Sequence, residues 1–250
     1  VVISTLGKGT GSGATPVLSS LAESTGAFVL NFLVLPSADL ESMQRTIGNH
    51  TRHTMINRGF NVVTIDQDRF RKINGEQPFS TTLAKLDALL SGVLMSLYDL
   101  VFGRAEKSVT VSDLRTLFKE GHEGSLFIGG GDPHKPEDAA NEFFSCGLLG
   151  RDPKTAKGVL LNLVKPKKLN EGSTKPLIDE IFNRLGNGKI AFVGTTSEED
   201  RTDSVDMIGI ITGMDDGSVS LAKLCNKEKT KIVNKTTDHP SGRWEIPMIR

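Results

Sequence analysis

The sequence VVISTLGKGTGSGATP, from Val1 to Pro16, joins a run of β-branched residues to a loop with glycine at every second position from Gly7 to Gly13. An apolar segment with helical spacing follows over residues 15–24. Alternating glycines leave backbone N–H groups uncovered and allow unusual dihedral angles, as a loop around a phosphate chain requires. A helix that starts there directs the partial positive charge of its N-terminus to the same place. The stretch therefore predicts a buried strand, a nucleotide-phosphate loop and a helix.

The loop differs from the better-known phosphate motifs. A Walker A loop needs Ser or Thr after its lysine, whereas Lys8 is followed by Gly9. The spacing Gly-x-Gly-x-Gly also lacks the last two-residue gap of the dinucleotide fingerprint, which argues against a nicotinamide-dependent dehydrogenase. A nucleophile elbow would need glycine where Thr10 stands. A tight strand–helix turn that binds no ligand stays open as the alternative.

Strand and helix patterns alternate along the chain. Buried strands are predicted at 1–5, 27–35 and 61–65, with a polar helix at 39–58. Such an alternation indicates a parallel sheet covered on both faces. Apolar residues at steps of three and four from Leu83 to Val101 predict a long helix that ends at Gly103. A second alternation follows, with strands at 125–128, 158–164, 189–193 and 207–212, helices at 136–144 and 175–185, and weaker strand signals at 218–224 and 231–233.

Composition limits the classes of function. The 250 residues carry 30 basic and 30 acidic side chains, so no excess charge favours nucleic acid or an anionic membrane. The basic clusters at 165–168 and 227–231 are interpreted as solvated loops. Cys146 and Cys225 are expected to be reduced thiols, and no segment approaches the ~20 apolar residues of a membrane span. We therefore expect a cytoplasmic protein.

The loop Gly7-Lys8-Gly9-Thr10-Gly11-Ser12-Gly13 resembles the signature Gly-Gly-Gly-Thr-Gly-(Ser/Thr)-Gly of the tubulin/FtsZ superfamily of filament-forming GTPases. The run Ala156-Lys157-Gly158-Val159-Leu160-Leu161-Asn162 and the strand from Met207 to Gly213 resemble the family further along the chain. The resemblance implies an α/β fold in which a parallel-sheet GTP-binding domain is joined by a long central helix to a smaller α+β activation domain. Residues 1–103, with the helix at about 81–102, would form the first domain and residues 104–250 the second. In the family about a hundred residues precede the signature, so an N-terminal part is expected to be missing.

The resemblance also implies a set of nucleotide-binding residues. The loop from Gly7 to Gly13 would hold the phosphates, with the hydroxyls of Thr10 and Ser12. The pair Glu41 and Arg45, four residues apart, matches family residues at the ribose and base. The run Thr64-Ile65-Asp66-Gln67-Asp68 stands where relatives carry Asn-Asp, and it is closer to archaeal CetZ sequences. On the long helix, Leu83 and Asp87 match nucleotide-site positions, Asp87 being the one that recognises guanine. Without the resemblance, Glu41 and Arg45 would be a surface ion pair, and Asp87 an exposed helix residue.

The run from Ser108 to Leu117 matches the family's catalytic loop, roughly Asn-x-Asp-x-x-Asp, which acts on the nucleotide of the next subunit. Asp113 holds its last acidic position, and Thr110 replaces the earlier aspartate, which predicts slow turnover. Alternatively, Ser112-Asp113 before an apolar run is only a helix N-cap.

The implied ligands are GTP or GDP with Mg²⁺, and no metal site made by protein residues is expected. The implied partners are further copies stacked head to tail, with paralogous subunits or membrane adaptors as additions. A non-hydrolysing paralogue that caps or joins a filament is the rival interpretation, which Lys8 and Thr110 favour.

Overall fold

The structure is a computed structural model that describes residues 1–75, 77–103, 105–199 and 204–215, with only the backbone of Glu171. Its strands are β1 (Val2–Thr5), β2 (Leu30–Leu35), β3 (Asn61–Asp66), β4 (Glu123–Gly131), β5 (Gly158–Pro166), β6 (Ile190–Glu198) and β7 (Val205–Thr212). Its helices are α1 (Gly9–Ser24), α2 (Ser42–Asn57), α3 (Gln67–Asn74), α4 (Phe79–Phe102), α5 (Val111–Lys119), α6 (Pro136–Ser145) and α7 (Glu171–Leu185).

The strands form one seven-stranded sheet in the order β1-β2-β3-β4-β7-β5-β6. Strands β1 to β4 are parallel, and β5 is parallel to β6. Strand β7 lies between β4 and β5 and is antiparallel to both. The predicted α/β class and the parallel first half are confirmed, and the complete sheet is mixed.

The shortest ladder of paired residues in the sheet joins β3 and β4. These strands pair over only three residues, Val62 to Thr64, opposite Glu123 to Ser125. Strand β4 instead pairs with β7 from Gly124 to Gly131. The two halves of the sheet are therefore joined by a short ladder.

Side chains alternate between two apolar layers, as a buried strand requires. In β2, Phe32 and Val34 face a cluster that contains α4 and α5, whereas Leu33 and Leu35 face α2. In the second half, Phe127 of β4 faces a third cluster formed with α6 and α7. Both faces of the sheet are covered, as predicted from the continuous apolar strands.

Helix α4 packs against strands of both halves. Its residues Leu86 to Leu100 share one apolar cluster with β2, β3, β4, β5 and β7. Leu100 lies so close to Gly194 of β6 that a Cβ at that glycine would collide with it. The helix ends at Gly103 with φ 107°, the left-handed stop that the sequence predicts. The division into domains at residues 103 and 104 stays a prediction.

Three local expectations were wrong. Helix α1 begins at Gly9 and not at residue 15, so the second half of the glycine motif is its first turn. Helix α3 was not predicted, although Asp66 caps it by accepting the N–H of Asp68. Lys165 is not in a solvated loop, because it lies in β5 and is 3% exposed.

No helix of the described residues is long and apolar enough to cross a membrane. Cys146 is a free thiol whose pKa is raised by burial. The predicted strands at 218–224 and 231–233, Cys225 and the basic cluster at 227–231 lie outside the described residues.

Candidate nucleotide site at the carboxyl edge of the sheet

Three helices begin at the carboxyl edge of the first three strands. Strands β1, β2 and β3 are parallel, and α1, α2 and α3 follow them in turn. The N-cap residues of these helices are Lys8, Glu41 and Asp66. Helix N-termini carry partial positive charge, so this edge is suited to an anion.

The glycines of the loop divide into two kinds. Gly7 has φ 97°, and a Cβ there would lie 2.5 Å from the carbonyl oxygen of Gln44. A Cβ at Gly11 would collide with the carbonyl of Thr5, so this glycine lets α1 approach the end of β1. At Gly9 and Gly13, by contrast, a Cβ would have no neighbour within 4 Å. Packing explains the first pair, and the second pair lines open space.

The first turn of α1 keeps its backbone donors available. Its N-cap Lys8 makes no side-chain cap bond, and the turn contains no acidic residue. The N–H of Gly7 is used, since it donates to Ser12 Oγ at 2.8 Å. The N–H groups of Gly9, Thr10 and Gly11 precede the first intrahelical bond, from Ser12 to Lys8 at 3.0 Å. Helices α3 and α5 are different, because their own side chains cap them.

Glu41 and Arg45 do not form the pair that their spacing suggests. Glu41 is the N-cap of α2, and its carboxylate lies 3.5 Å from the Lys8 ammonium. Arg45 forms a two-pronged ion pair with Asp66, with N–O distances of 2.9 and 2.6 Å, and also donates to the carbonyl of Pro36 at 2.8 Å. The surface-ion-pair interpretation of Glu41 and Arg45 is therefore wrong.

Electrostatics within this cluster favour the charged forms. The hydrogen bond from Arg45 to Asp66 raises the pKa of the guanidinium. Burial of Asp66 opposes ionisation, but Arg45 and the N–H groups of Asp68 and Arg69 outweigh it and lower the pKa of this carboxyl group. The ion pair is charged at neutral pH.

Ser37 and Ala38 complete the hydrogen-bond network around Asp66 and Asp68. The sequence analysis did not assign either of them. The buried hydroxyl of Ser37 donates to Asp68 Oδ1, and the N–H of Ala38 donates to Asp68 Oδ2 at 2.7 Å. Asp66 and Asp68 thus hold the loop after β2 against the start of α3. One signal in the sequence could have revealed this arrangement. Asp66 directly follows the predicted strand at 61–65, and aspartate is favoured at helix N-caps.

Gln67 is the first residue of α3 and is 5% exposed. Its Oε1 atom is buried and has no hydrogen-bond partner among the described residues. Buried polar atoms are normally satisfied, so this oxygen is an acceptor available for a donor at the carboxyl edge. On α4, Leu83 is half-buried and Asp87 is exposed.

Thr110 and Asp113 are brought together at the N-terminus of α5. They form a capping box in which the Asp113 carboxylate accepts from the N–H of Thr110 at 2.8 Å and from its hydroxyl at 2.7 Å. A helix does begin here, but its N-cap is Thr110, and Ser112 and Asp113 lie within its first turn, so the alternative that Ser112-Asp113 is the N-cap is wrong in its residues.

The helix that carries this capping box contacts the amino edge of the first half of the sheet through Arg115. Arg115 of α5 donates to the carbonyl of Gly26 at 3.0 Å and lies 5.6 Å from the ring of Phe28. Both contacts follow the C-terminus of α1, whose N-terminus is the glycine loop. Helix α1 has 16 residues and is about 24 Å long. The Arg115 guanidinium, on the residue two places after Asp113, is therefore about one helix length from the glycine loop within one chain.

No cluster of three or more His, Cys, Asp or Glu side chains in the described part of the chain could hold a metal ion.

No protein-family profile matches this chain. It is 20% identical to "Cell division protein FtsZ 2" of Haloferax volcanii over 245 residues, which are 96% of this chain and 61% of that protein. The FtsZ dimer of M. jannaschii superimposes with a TM-score of 0.77 at 21% identity, over 84% of this chain and 62% of that one. CetZ2 from Haloferax volcanii, a GTPγS-bound protofilament, gives 0.67 at 20% identity, over 90% and 68%.

These similarities confirm the resemblance at the level of the fold: the chain has the tubulin/FtsZ superfamily fold. The chain spans about 60% of the length of the FtsZ proteins that it matches, at 61% of the curated relative and 62% of the solved structure.

Proposed function

We propose that this protein belongs functionally with the tubulin-like cytoskeletal proteins: it binds guanine nucleotide, assembles head to tail and hydrolyses GTP with help from the neighbouring subunit. The observation that carries the proposal is the uncapped, glycine-lined N-terminus of α1 at the same sheet edge as the buried, unpartnered Gln67 Oε1. The fit to a nucleotide is chemical: free backbone N–H groups suit phosphate oxygens, and a buried acceptor suits an N–H of the base. The named ligand of CetZ2, GTPγS, supports the same ligand class.

Within the proposed site, the roles follow the chemistry of each residue. The N–H groups of Gly9, Thr10 and Gly11 would hold phosphate oxygens, and the hydroxyl of Ser12 would brace the loop through Gly7. Lys8 would add a cation beside the phosphates, balanced by Glu41.

The base would be recognised from the other helices. Gln67 and Asp87 would accept from guanine N–H groups, and Leu83 would contact the base. Glu41 would face the ribose, with Arg45 beside it, held by Asp66. Mg²⁺, when bound, would neutralise the charge of the phosphates.

The distance between the two edges supports catalysis by a second subunit. Arg115, two residues after Asp113, contacts the segment that follows the C-terminus of α1, about one helix length from the chain's own glycine loop. Head-to-tail stacking, which builds open filaments, would bring the amino edge of one subunit to the carboxyl edge of the next. The Asp113 carboxylate would then orient the attacking water or accept its proton. Residues 1–103 would bind the nucleotide and residues 104–250 would carry this loop.

One observation favours a second candidate function, a filament protein that hydrolyses GTP weakly or not at all. The Asp113 carboxylate is already engaged as a helix cap by the N–H and hydroxyl of Thr110. Thr110 also stands where relatives carry the earlier acidic residue. Such a paralogue would cap or join a filament without turnover. Paralogous subunits, membrane adaptors and a cytoplasmic location remain parts of the proposal that only experiments on cells can test.

The proposed function is tested by separating GTP binding from turnover. We expect Asp113→Asn to abolish phosphate release while GTP affinity stays within about twofold, because asparagine retains a cap acceptor but cannot take a proton. Phosphate release is measured over protein concentrations that span filament formation, followed by light scattering.

Thr110→Ala is the matched control, since it weakens the same cap and keeps the carboxylate. Equal loss of binding and hydrolysis in Asp113→Asn would contradict catalysis in trans. Filaments of the unaltered protein that release no phosphate would favour the non-hydrolysing candidate.

A further inference from the structure

The segment between α4 and α5 is attached to β6 by its backbone. The N–H of Glu106 donates to the carbonyl of Thr195 at 2.8 Å, and the N–H of Thr195 donates to the carbonyl of Lys107 at 3.1 Å. Lys107 and Thr195 thus form an antiparallel bridge. This bridge joins the segment to β6, which is an edge strand of the sheet.

The Glu106 side chain adds a second attachment to the same half. Its carboxylate lies 3.0 Å from the Lys165 ammonium of β5 and accepts a hydrogen bond from Ser197 Oγ of β6. Lys165 is 3% exposed, and its Nζ also donates to the carbonyl of Leu169 at 2.8 Å. A buried ammonium needs an opposite charge, so Lys165 holds Glu106 in one place.

Glu106 is ionised at neutral pH in these surroundings. The hydrogen bond from Ser197 and that from Lys165 lower the pKa of its carboxyl group, and the charge of Lys167 acts in the same direction. Lys167 is itself paired with Glu199 at 2.6 Å.

The attachment lies four residues before the cap that carries Asp113. Between them, the N–H of Val109 donates to the carbonyl of Leu100, and the Val109 side chain is 3% exposed. The chain from Glu106 to Thr110 is therefore held at β6 on one side and at the end of α4 on the other. Little freedom is left to the position of α5's first turn.

We propose that Glu106 is a positioning residue: its contacts with Lys165 and Ser197 clamp the 105–113 segment to the second half of the sheet and so set the place of the Asp113 carboxylate. The catalytic meaning of this clamp rests on the proposed function, in which Asp113 acts on the nucleotide of a neighbouring subunit. The clamp itself is a structural claim that can be tested without nucleotide.

If the clamp exists, its loss should lower the rate of GTP turnover without changing the affinity for GTP. The glycine loop follows β1, and β1 and β6 are at the two ends of the strand order, so loss of the clamp at β5 and β6 leaves the affinity for GTP unchanged. A displaced carboxylate lowers kcat, and a misplacement of about 1 Å can cost up to about a hundredfold.

Glu106→Ala and Glu106→Gln are compared with the unaltered full-length protein and with Glu120→Gln, a control on the exposed C-terminal end of α5. Glu106→Ala lowers kcat for phosphate release by about tenfold or more at saturating GTP and protein, with KM and monomer affinity within about twofold. Glu106→Gln retains an acceptor for Ser197, so its kcat should lie between those of the alanine variant and the unaltered protein. Both variants leave the buried Lys165 ammonium with the carbonyl of Leu169 but without the Glu106 carboxylate, so urea unfolding is measured for each, and exchange and turnover are compared where each variant is folded.

Hydrogen exchange of the backbone amides gives the independent readout. In Glu106→Ala, the amides of residues 107–113 exchange faster, and those of α1 do not change. Unchanged exchange in 107–113 overturns the clamp. Faster exchange with unchanged kcat overturns its positioning role. Absence of GTP hydrolysis in the unaltered protein overturns the proposed function and the positioning role with it, while the exchange rates still decide whether the clamp exists.

Discussion

At the scale of single residues, Asp66 has the most connections in the candidate site. Its carboxylate caps α3 and holds the guanidinium of Arg45, so it joins two of the helices whose N-termini meet at the carboxyl edge. The family resemblance directs attention to Gln67 and Arg45, whereas the structure indicates that Asp66 orders both. Removing one member of a pair that is largely shielded from water leaves the other charge without its partner, so the loss costs more than the loss of a surface pair.

The lowered pKa of Asp66 predicts a pH dependence of stability. Because the folded-state pKa lies below the unfolded value of about 3.9, the stabilisation is complete above that value and is lost as the pH falls through the folded pKa. We expect Asp66→Asn to lower the free energy of unfolding by about 2 kcal/mol at pH 7. Asparagine can still cap α3, so the loss reports the pair with Arg45.

Urea unfolding at pH 7 and at several acid pH values checks this expectation. The difference between Asp66→Asn and the unaltered protein should shrink on acidification. Asp179→Asn, on the exposed side of α7, should show little difference at any pH. A difference for Asp66→Asn that stays constant with pH would refute the linkage.

At the scale of elements, the glycine motif is two structures in succession. Gly7 forms the turn, and Gly9 to Gly13 form the first turn of α1. The alternation in sequence therefore does not mean that each glycine serves the ligand. Helix packing against the end of β1 explains Gly11, and the open space at Gly9 and Gly13 is where a phosphate chain could approach.

Alanine at Gly11 and at Gly13 should therefore have opposite effects on stability. Gly11→Ala places a methyl group against the carbonyl of Thr5, and overpacking of this kind costs about 1–3 kcal/mol. Gly13→Ala meets nothing and should stabilise the helix by up to about 1 kcal/mol. Thermal unfolding of the two variants checks the prediction. Similar changes in Tm would contradict the division of the glycines into packing and open positions. On the proposed function, Gly13→Ala should weaken GTP binding although it stabilises the fold.

At the scale of the whole molecule, the short ladder between β3 and β4 is reinforced by buried charges. The carboxylate of Glu123 accepts from the hydroxyl of Thr64 on β3, lies 3.1 Å from Arg52 of α2, and pairs with Arg151 in the second half. Glu123 is 6% exposed and Arg52 is 7% exposed. This cluster holds together the two halves of the sheet, beside the apolar contacts of α4.

Removal of the Glu123 charge should destabilise the whole protein. Glu123→Gln leaves two largely buried guanidinium groups without that carboxylate, and breaking a buried ion pair costs about 3–5 kcal/mol. Glu180→Gln is the control, because its pair with Arg184 is half-exposed and contributes less than about 1 kcal/mol. Equal unfolding free energies for the two variants would contradict a structural role at the junction. Two unfolding transitions in Glu123→Gln would mean that this cluster couples the halves.

Much of the molecule could be predicted from local patterns. Apolar runs, glycine stops and the spacing of apolar residues placed five of the seven described helices and all seven described strands, with errors mainly at their ends, and the start of α5 appeared only as an alternative to a catalytic loop. Helix α3 was missed because it has eight residues, too few for a clear periodic signal. The glycine loop and the likeness to the tubulin/FtsZ superfamily were also readable, because each depends on residues close in sequence, whereas the Thr110–Asp113 cap was not predicted.

Most of these elements and their order could be predicted, since helix periods, turn glycines and caps depend on interactions within a few residues. The partners of Arg45 and Glu41, the burial of Lys165, the insertion of β7 between β4 and β5, and the contact of Arg115 with Gly26 depend on tertiary packing. Charged side chains can pair with any opposite charge within reach, and strands with any free edge. Their choice is set by how the layers pack, which no local pattern contains.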